Sequence, residues 1–589
     1  MKLRFLLQGI YVLISIIFLG TSCSESETAT EQRSQETGKL FTTIPASISN
    51  VNFQNKLVET ATSNYYKYMY AYIGGGVAAG DFNQDGLEDL FFVSNTFDNK
   101  LYLNQGDFKF KDITEAAGIE KREGFDAGVT VVDVNNDGWL DIYITRGGWK
   151  SDNGAFANML YINNGLQADG TTPSFTEKAT EHGLADDNRA IQATFFDYDK
   201  DGDLDVYISN TPDFEDRAAD IVDLVAAQTD PKTFALKGSD KLYQNNGTGR
   251  FTDVSTQAGI LPDIGFGLNP QVGDLNQDGW LDVYVCNDFR IPDFAYLNNG
   301  DGTFREGRNE LLKHMSFNSM GSDIADINND GLLDLYTLDM NPEDYIRSKT
   351  TMGMTQQSRF EQMVAMNYHH QYMHNMLQVN NGNGSFREIA NLAGVANTDW
   401  SWAALLADFD LDGYNDIFVT NGVFRDVIDR DANNAILEDL RTNPRKPSDE
   451  DFLNFTKMLP QQKLTNYFFR NKGDLSFENV SYTWADSIPN FSNGAAYTDL
   501  DNDGDLDVVI NNINDPASIL RNNSIENAKG NYLKVQLTGA DQNKMGVGAR
   551  VKLYLTNGQI LTRQLINSRG FLSAVSNTLH FGLATNEAV

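Results

Sequence analysis

Seven short segments of this sequence place acidic and amide side chains at a spacing that suits a metal ion. Each follows the pattern Asp-x-(Asp/Asn)-x-Asp-Gly-x-x-Asp, and the first copy runs from Asp81 to Asp89. Oxygens at positions 1, 3 and 5 face the inside of such a loop, Gly at position 6 allows the sharp turn, position 7 offers its backbone carbonyl, and position 9 adds a carboxylate. Oxygen ligands in this number on a flexible loop suit Ca²⁺ better than Mg²⁺ or Zn²⁺.

Every copy offers calcium ligands at the same five positions. The predicted ligands are Asp81, Asn83, Asp85, Leu87, Asp89, Asp133, Asn135, Asp137, Trp139, Asp141, Asp197, Asp199, Asp201, Asp203, Asp205, Asp274, Asn276, Asp278, Trp280, Asp282, Asp326, Asn328, Asp330, Leu332, Asp334, Asp408, Asp410, Asp412, Tyr414, Asp416, Asp499, Asp501, Asp503, Asp505 and Asp507. No further catalytic group recurs beside the loops. We therefore expect up to seven Ca²⁺ ions with a structural role.

Two other interpretations of these segments fit less well. An EF-hand loop needs a Glu at position 12 and a helix on either side. Position 12 here lies in strand-like runs and is Phe92, Ile144, Ile208, Val285, Thr337, Val419 and Ile510. A metal-free hairpin turn also uses Asp, Asn and Gly, but seven copies that keep the oxygen positions and the Gly favour a cation site.

The residues around each loop predict a four-stranded unit. In the first unit, Gly75–Gly80 forms a small-residue strand, and Asp89–Ser94, Lys100–Asn104 and Phe108–Thr114 form the other three. Seven such units predict an all-β fold, a seven-bladed β-propeller whose tightly packed centre needs Gly and Ala.

The last unit, which follows Asp499, has no fourth strand before the composition changes. At the other end of the chain, Asn52–Lys56 is similar to the fourth strand of the first unit, Lys109–Ile113. We expect Asn52–Lys56 to complete the seventh blade and to close the ring, because closure removes exposed strand edges.

The composition excludes several classes of protein. With 589 residues, of which 41% are hydrophobic, the chain can form a large core, so neither a disordered nor a fibrous protein fits. Asp plus Glu total 81 against 46 Lys plus Arg, a formal charge of -35. Binding to nucleic acid relies on cationic side chains, so this charge argues against such a partner. The only two cysteines, Cys23 and Cys286, exclude a disulfide scaffold.

The start of the chain predicts export and lipid attachment. Residues 1–22 combine a charged start, an apolar stretch and small residues, as a signal peptide does. Cys23 resembles the lipidation cysteine of bacterial lipoproteins; the alternative is a plain secretory signal with a nearby cysteine. Residues 23–48 are expected to form a flexible tether, and its acidic Ser24–Glu27 resembles the signal that sends lipoproteins of Bacteroidetes-type bacteria to the outer face of the outer membrane. We predict a surface-exposed outer-membrane lipoprotein that contacts the membrane by this anchor only.

The repeats resemble the FG-GAP or VCBS repeats of integrin α-subunit propellers, and the order of parts resembles the bacterial relatives of cartilage acidic protein. Four segments match the UnbV/ASPIC module of that family: Asn531–Val535, Gly546–Val551, Gly570–Ser573 and Leu579–Leu583. The resemblance implies a propeller over residues 49–526 and a small β module over residues 527–589. Family members usually continue into another strand with a Trp-Pro pair, whereas this sequence ends at Val589, so either the module is shortened or the sequence is a fragment.

Three units carry long insertions between their second and third strands: about residues 210–238, 338–373 and 420–465. In an antiparallel blade these loops lie at the end opposite to the acidic loops, so the insertions share one face of the propeller. A stripe of Ala218, Ile221, Val222 and Val225, and a capping box at Ser448, predict helices in them.

Long loops on a rigid scaffold usually carry recognition, so the insertion face is the expected binding face. Candidate ligand-binding residues on or near it are Trp149, Arg290, Tyr345, Tyr368, Trp400, Trp402 and Arg425. Aromatic rings beside polar groups could stack on sugars or contact a protein; the alternative is that they pack the insertions onto the blades.

We predict binding rather than catalysis, with an extracellular glycan or protein as the ligand. The sequence has no Gly-x-Ser-x-Gly motif, no phosphate-binding loop and no dinucleotide fingerprint. Two alternatives stay open. A polysaccharide-degrading, lyase-like propeller would need Lys, Arg, Tyr or His side chains converging in a groove. An accessory subunit of an outer-membrane nutrient-uptake complex would be encoded beside a transporter.

Overall fold

A computed structural model describes residues 38–120, 123–148, 157–212, 221–230, 238–263, 265–352, 356–539 and 542–584. Seven four-stranded antiparallel sheets follow one another along the chain, and the first strands of neighbouring sheets pack together in a closed ring. The predicted all-β, seven-bladed propeller with a small C-terminal β module is confirmed. The signal peptide, Cys23 and most of the expected tether lie outside the described residues.

Each blade runs from an inner first strand to an outer fourth strand. The strands of blades 1 to 4 are Val77–Gly80, Asp89–Phe92, Lys100–Asn104 and Phe110–Asp112; Phe125–Val132, Asp141–Gly147, Met159–Leu166 and Pro173–Glu177; Ala190–Phe196, Asp205–Asn210, Lys241–Asn245 and Phe251–Asp253; Phe266–Gly273, Asp282–Asp288, Phe294–Asn298 and Phe304–Glu306. Those of blades 5 to 7 are Ser322–Ala325, Asp334–Thr337, Met376–Asn380 and Phe386–Glu388; Ser401–Ala407, Asp416–Asn421, Tyr467–Asn471 and Phe477–Asn479; Ser492–Thr498, Asp507–Asn512, Ser518–Asn522 and Phe41–Ile44.

The strand that closes the ring is Phe41–Ile44, so the prediction that Asn52–Lys56 fills this place is wrong. Phe41 lies opposite Asn522, and the same Asn–Phe pair joins the third and fourth strands of all the other blades. The Phe41 ring is buried and stacks on Phe468 at a centroid distance of 4.6 Å. The expected tether therefore ends before residue 41. Asn52–Lys56 makes only isolated bridges to the connection after the second strand of blade 7.

The three insertions are helical, as predicted, and lie between the second and third strands of blades 3, 5 and 6. The described helices are Ala46–Ser49, Ala179–His182, Leu224–Thr229, Arg308–Leu311, Tyr345–Thr351, Gln357–Ala365, Ala390–Ala393, Arg430–Thr442, Asp449–Met458 and Ser481–Trp484. The capping box at Ser448 is confirmed, with its hydroxyl accepting from the Asp451 N–H and its own N–H donating to the Asp451 carboxylate. In its described part the predicted stripe of the first insertion is wrong, because the helix starts at Leu224, after Ile221 and Val222, and Val225 is exposed. Ala218 lies outside the described residues.

The C-terminal module consists of two antiparallel strand pairs. Gly530–Gln536 pairs with Thr578–Ala584, and Arg550–Tyr554 pairs with Ile560–Gln564. Leu553, Leu561 and Phe581 belong to a core of its own. The module therefore folds around its own apolar side chains.

A loop of this module, Asn567–Val575, fills the centre of the propeller, and we call it the plug loop. The Leu572 carbonyl accepts a hydrogen bond from the Val129 N–H at 2.9 Å, and Ala574 pairs with the first strand of blade 1. Contacts of the plug loop reach an inner strand in every blade: Val77, Val129, Gln192, Gln271, Asp323, Trp402 and Tyr497. The central channel is therefore packed by protein along the part that the inner strands surround.

Gly76→Ala is expected to destabilise the protein by about 1–3 kcal/mol, the usual cost of overpacking a core. A Cβ atom at Gly76 would lie 1.8 Å from the Leu572 carbonyl oxygen, which is backbone of the plug loop and cannot move aside alone. Urea denaturation measures the effect. Gly80→Ala is the matched control, because its nearest neighbour is the end of the Leu140 side chain at 3.1 Å. Equal stability of the two variants would contradict the close contact of the plug loop.

The other end of the channel is covered by a tyrosine-rich segment, residues 64–73. Its rings pack on blades around the ring: Tyr68 on Phe125, Tyr70 on Phe266 and Tyr72 on Phe424, with centroids 5.3, 5.4 and 5.7 Å apart. The Tyr70 hydroxyl also donates to Asp288 at 2.9 Å. The two ends of the channel are thus covered by segments that lie outside the repeats themselves.

Candidate metal centres and binding face

In all seven acidic loops the N–H of position 7 donates to the position-5 carboxylate, and in six of them the Gly N–H donates to the position-1 carboxylate. The first loop illustrates these bonds. The Asp85 and Gly86 N–H groups donate to the two oxygens of Asp81 at 3.1 and 2.8 Å, and the Leu87 N–H donates to Asp85 at 2.9 Å. Gly86 has φ 86°, as the need for Gly at position 6 predicts. The loop backbone thus orients the side chains at positions 1 and 5.

Position 4 of the loops also has a fixed conformation, although its residue type varies. Its φ is between 57° and 65° in Gln84, Asn136, Lys200, Gln277, Asn329, Leu411 and Asn502. A left-handed backbone turns the chain back so that positions 3 and 5 can face the same point. The sequence pattern gave no sign of this requirement, because several residue types tolerate it.

The Asp at position 9 joins each loop to the rest of its blade. One of its oxygens accepts from the N–H of position 2, and the other accepts from the N–H of the last Asn on the third strand. These bonds measure 2.8–3.2 Å in all seven blades. All seven of these aspartates are fully buried. Position 9 therefore fixes the loop to the third strand.

The last Asn of the third strand has a role that sequence reasoning missed. Its side-chain amide donates to the position-2 carbonyl of the preceding blade in six cases: Asn104, Asn163, Asn298, Asn380, Asn471 and Asn522. The signal was present, since third strands recur with a terminal Asn. These amides link neighbouring blades at the level of the acidic loops.

Several loop carboxylates have oxygens that are buried without a hydrogen-bond partner. They are Asp197, Asp203, Asp274, Asp410, Asp499, Asp503 and Asp505. In blades 3, 6 and 7, oxygens from positions 1, 3 and 9 lie within 4.8 Å of one another. An unpaired buried carboxylate oxygen is costly, and a bound cation removes that cost. The donor set, which is oxygen only, fits the ion that the spacing predicts.

Raised pKa values of the loop carboxylates also favour a cation site. Burial raises the pKa of Asp205 to about 9 and that of Asp334 to about 8, and neighbouring loop carboxylates add to the rise. Burial likewise raises the pKa of Asp133 to about 6, with Asp137 adding to the effect. Carboxylates whose pKa values rise together form a site where protons or a cation must balance the charge.

The C-terminal module brings cations to the face that carries the acidic loops. Lys534 pairs with Asp499 of blade 7, and Arg550 pairs with Asp274 of blade 4 at 3.3 Å. Lys544 donates to the carbonyl of Asn136 in blade 2 at 2.6 Å. The acidic-loop face is therefore partly covered by the module.

The candidate ligand-binding residues do not come together. Trp400, Trp402 and Tyr368 are buried, and the Trp402 ring lies 5.3 Å from Phe571 of the plug loop. These rings pack the fold and are not accessible to a ligand. Burial also raises the pKa of Tyr368, and the nearby Arg290 partly offsets that rise.

The remaining candidates have separate environments. Arg425 pairs with Glu59 at 2.8 Å, so its guanidinium has a partner within the chain. Tyr345 is 74% exposed on the insertion face. Trp149 lies outside the described residues.

Comparison with known families matches both parts of the chain. A family model described as FG-GAP-like repeat matches residues 81–144, 220–285, 292–337 and 363–419. A model described as ASPIC and UnbV matches residues 539–589.

Curated relatives extend this match over most of the sequence. The chain is 22% identical over 541 residues to cartilage acidic protein 1 of Mus musculus, covering 87% of this chain and 69% of that protein. It is 22% identical over 548 residues to the Homo sapiens protein, with 87% and 67% covered. With the Xenopus tropicalis protein it shares 24% identity over 496 residues, with 80% and 61% covered.

Solved structures are similar only loosely. An Agrocybe aegerita lectin, described as recognising non-reducing terminal N-acetylglucosamine, aligns with TM-score 0.35 at 16% identity, covering 70% of this chain and 81% of that one. Saccharomyces cerevisiae Sqt1 aligns with TM-score 0.34 at 8% identity, covering 80% and 99%.

Proposed function

Because the chain belongs to the FG-GAP-repeat propellers that end in an ASPIC and UnbV module, and is homologous to cartilage acidic protein, we propose that it is a calcium-stabilised cell-surface propeller that binds an extracellular glycan or protein. The proposed role is binding and not catalysis. The observation that carries this proposal is the difference between the two faces. The C-terminal module partly covers the acidic-loop face, whereas Tyr345 and Ile346 are exposed on the insertion face.

Calcium binding is supported by the preorganised loops. Positions 1 and 5 are oriented by loop N–H groups, and position 9 is fixed to the third strand. Bound at these oxygens, the ion would supply charge neutralisation and a cross-link between the two ends of each loop. The repeated residues then stabilise the blades, which leaves recognition to the other face.

The insertion face is where an ordered apolar and aromatic surface meets solvent. In the helix Tyr345–Thr351, Arg347 donates to Asp399 at 2.6 Å and to Asp426 at 2.5 Å, and both carboxylates are buried. These two charged bonds anchor the helix on the propeller. Tyr345 and the neighbouring Ile346, which are 74% and 72% exposed, are thereby presented on a fixed helix.

The chemistry of this surface suits either proposed ligand class. The Lys349 ammonium lies 5.2 Å from the centroid of the Tyr345 ring, so a cation and an aromatic face are presented together. Such a ring can stack on the apolar face of a sugar or insert into a protein surface. A rigid position lowers the ordering cost of binding.

Tyr345→Ala is expected to weaken binding of a ligand found by glycan-array or extracellular-protein screening about tenfold, because exposed aromatic anchors contribute over ~1 kcal/mol at interfaces. The readout is the Kd of the purified chain in the presence of calcium. Tyr554→Ala is the control, since Tyr554 is 64% exposed in the C-terminal module.

An unchanged Kd in the combined variant Tyr345→Ala/Ile346→Ser would contradict a role for this helix. Turnover of a bound polysaccharide would instead favour the lyase-like alternative.

We further propose that a lipid on Cys23 attaches the protein to the outer membrane. The support for this attachment is the acidic sequence Ser24–Glu27 that follows the cysteine. In the described part of the chain, none of the helices combines the length and the apolar character needed to cross a bilayer. An association with an outer-membrane transporter stays a proposal of the same kind.

A further inference from the structure

The seven acidic loops fall into two classes at position 3. In four loops it is an Asn, whose amide donates to the position-5 carboxylate at 2.8–2.9 Å: Asn83, Asn135, Asn276 and Asn328. In the other three it is an Asp: Asp199, Asp410 and Asp501. An ionised Asp has no hydrogen to donate, so it cannot make this bond to position 5, and its own oxygens can only accept hydrogen bonds.

In blades 3 and 6 a donor comes from the third strand, from the residue before the terminal Asn; in blade 7 the residue at this position, Arg521, forms an ion pair instead. Gln244 donates to Asp199 at 2.7 Å, Arg470 donates to Asp410 at 2.7 Å, and Arg521 lies 3.4 Å from Asp501. In the four loops with Asn at position 3, the same strand position holds an apolar residue: Leu103, Ile162, Leu297 and Val379. The strand residue thus varies together with the loop residue.

The three Asp loops differ in charge, because only one has a neutral partner. Blade 7 has five loop carboxylates, but Arg521 and Lys534 both contact them. Blade 6 has four, and Arg470 contacts two of them. Blade 3 also has five, and its third-strand partner is the uncharged Gln244.

Within the described residues, no Lys or Arg forms an ion pair with the carboxylates of the blade-3 loop, which are Asp197, Asp199, Asp201, Asp203 and Asp205. Lys200, inside the loop, places its ammonium 3.8 Å from the centroid of the Trp280 ring instead. This loop therefore keeps the largest uncompensated negative charge of the seven.

A second observation points to a ligand at this loop. Asp203 is only 3% exposed, and its Oδ1 has no hydrogen-bond partner; the Oδ1 of Asp197 is also buried without one. Oxygens of Asp197, Asp199 and Asp205 lie within 4.8 Å of one another. Asp197 is both a member of this convergent group and the owner of a buried oxygen without a partner, and a cation bound there would satisfy that oxygen.

We propose that the blade-3 loop is the tightest calcium site of the propeller and that Gln244, Arg470 and Arg521 are positioning residues that set the order in which the Asp loops fill. This inference rests on the proposed calcium binding. Calcium affinity rises with the number of ligand charges and with the rigidity of the site. Gln244 orients the position-3 carboxylate without adding charge, whereas Arg470 and Arg521 orient theirs and repel the ion.

Calcium titration calorimetry of the chelator-stripped full chain tests the proposal. The unchanged protein should show one site at least about tenfold tighter than the others, the effect expected from one charge at close range. Gln244→Arg should weaken that site about tenfold, and Arg470→Gln should add a second tight site. Arg387→Gln, a surface substitution that removes the same charge as Arg470→Gln, should leave the affinities of both sites unchanged.

Each result separates this inference from the proposed function. If the unchanged protein binds no calcium, the proposed function itself fails. If it binds calcium at equivalent sites, or if Gln244→Arg leaves the tightest site unchanged, calcium binding stands and this inference is overturned. Should Gln244→Arg fail to fold, Arg470→Gln decides alone, because a single tight site in that variant also overturns the inference. Gln244→Leu, which removes the bond but adds no charge, should weaken the site less than Gln244→Arg.

Discussion

Removal of calcium with EGTA is expected to lower the melting temperature of the protein markedly. An ion that binds only the folded state adds about 2.7 kcal/mol per site when its concentration is one hundred times the Kd. Buried loop oxygens without partners, such as those of Asp203, Asp410 and Asp499, would lose their compensation when the ion leaves. Differential scanning calorimetry with and without excess EGTA measures the change.

The control for this experiment is EGTA with an equal excess of Ca²⁺ restored, and a second sample with Mg²⁺ in place of Ca²⁺. Calcium should restore the melting curve, and magnesium should restore it poorly, because Mg²⁺ gives up its waters reluctantly. Superimposable melting curves in all samples would contradict calcium as a structural ion.

Arg569→Met is expected to destabilise the protein by about 3–5 kcal/mol, the usual cost of breaking a buried ion pair from one side. Two nitrogens of Arg569 lie 2.9 Å from the two oxygens of Asp323, which is fully buried, and Arg569 also donates to the Tyr497 hydroxyl at 3.1 Å. The variant leaves Asp323 as an unpaired charge in the core and loosens the plug loop. Urea denaturation measures the loss.

The double variant Arg569→Met/Asp323→Asn separates charge from packing. Because it removes both charges, it should recover part of the lost stability. Arg305→Ala is the surface control, since its pair with Glu310 is largely exposed and a pair of this kind contributes little. A change in Arg569→Met no larger than in Arg305→Ala would show that the plug loop does not depend on this pair.

Local sequence was sufficient wherever function depends on residues close together in the chain. The conformation of the acidic loops, the Gly at position 6 and the strands beside them were correctly predicted, since each nonapeptide contains its own acidic side chains and its own turn. The helices of the insertions were predicted as a class for the same reason, and the capping box at Ser448 was confirmed in detail. In contrast, a helical stripe proposed around Val225 failed, because burial and not periodicity decides whether such a stripe is used.

Predictions that needed distant pairing were less successful. Asn52–Lys56 resembled a fourth strand in its residue types. The strand Phe41–Ile44 closes the ring instead, with Phe41 opposite Asn522. Exposed aromatic candidates were also chosen from sequence, yet Trp400 and Tyr368 are core residues. Solvent exposure depends on what packs above a residue, and that information is not local.

By itself, the sequence determined that this protein is a ring of seven repeated blades with oxygen-rich loops on one face and insertions on the other, because repeat spacing and antiparallel connectivity follow from the order of residues. Only the tertiary structure decided what fills and covers that ring: the plug loop around Arg569, the tyrosines of residues 64–73 and the strand at Phe41. These segments lie far from their contacts along the chain, so only packing and charge in three dimensions could assign them a place.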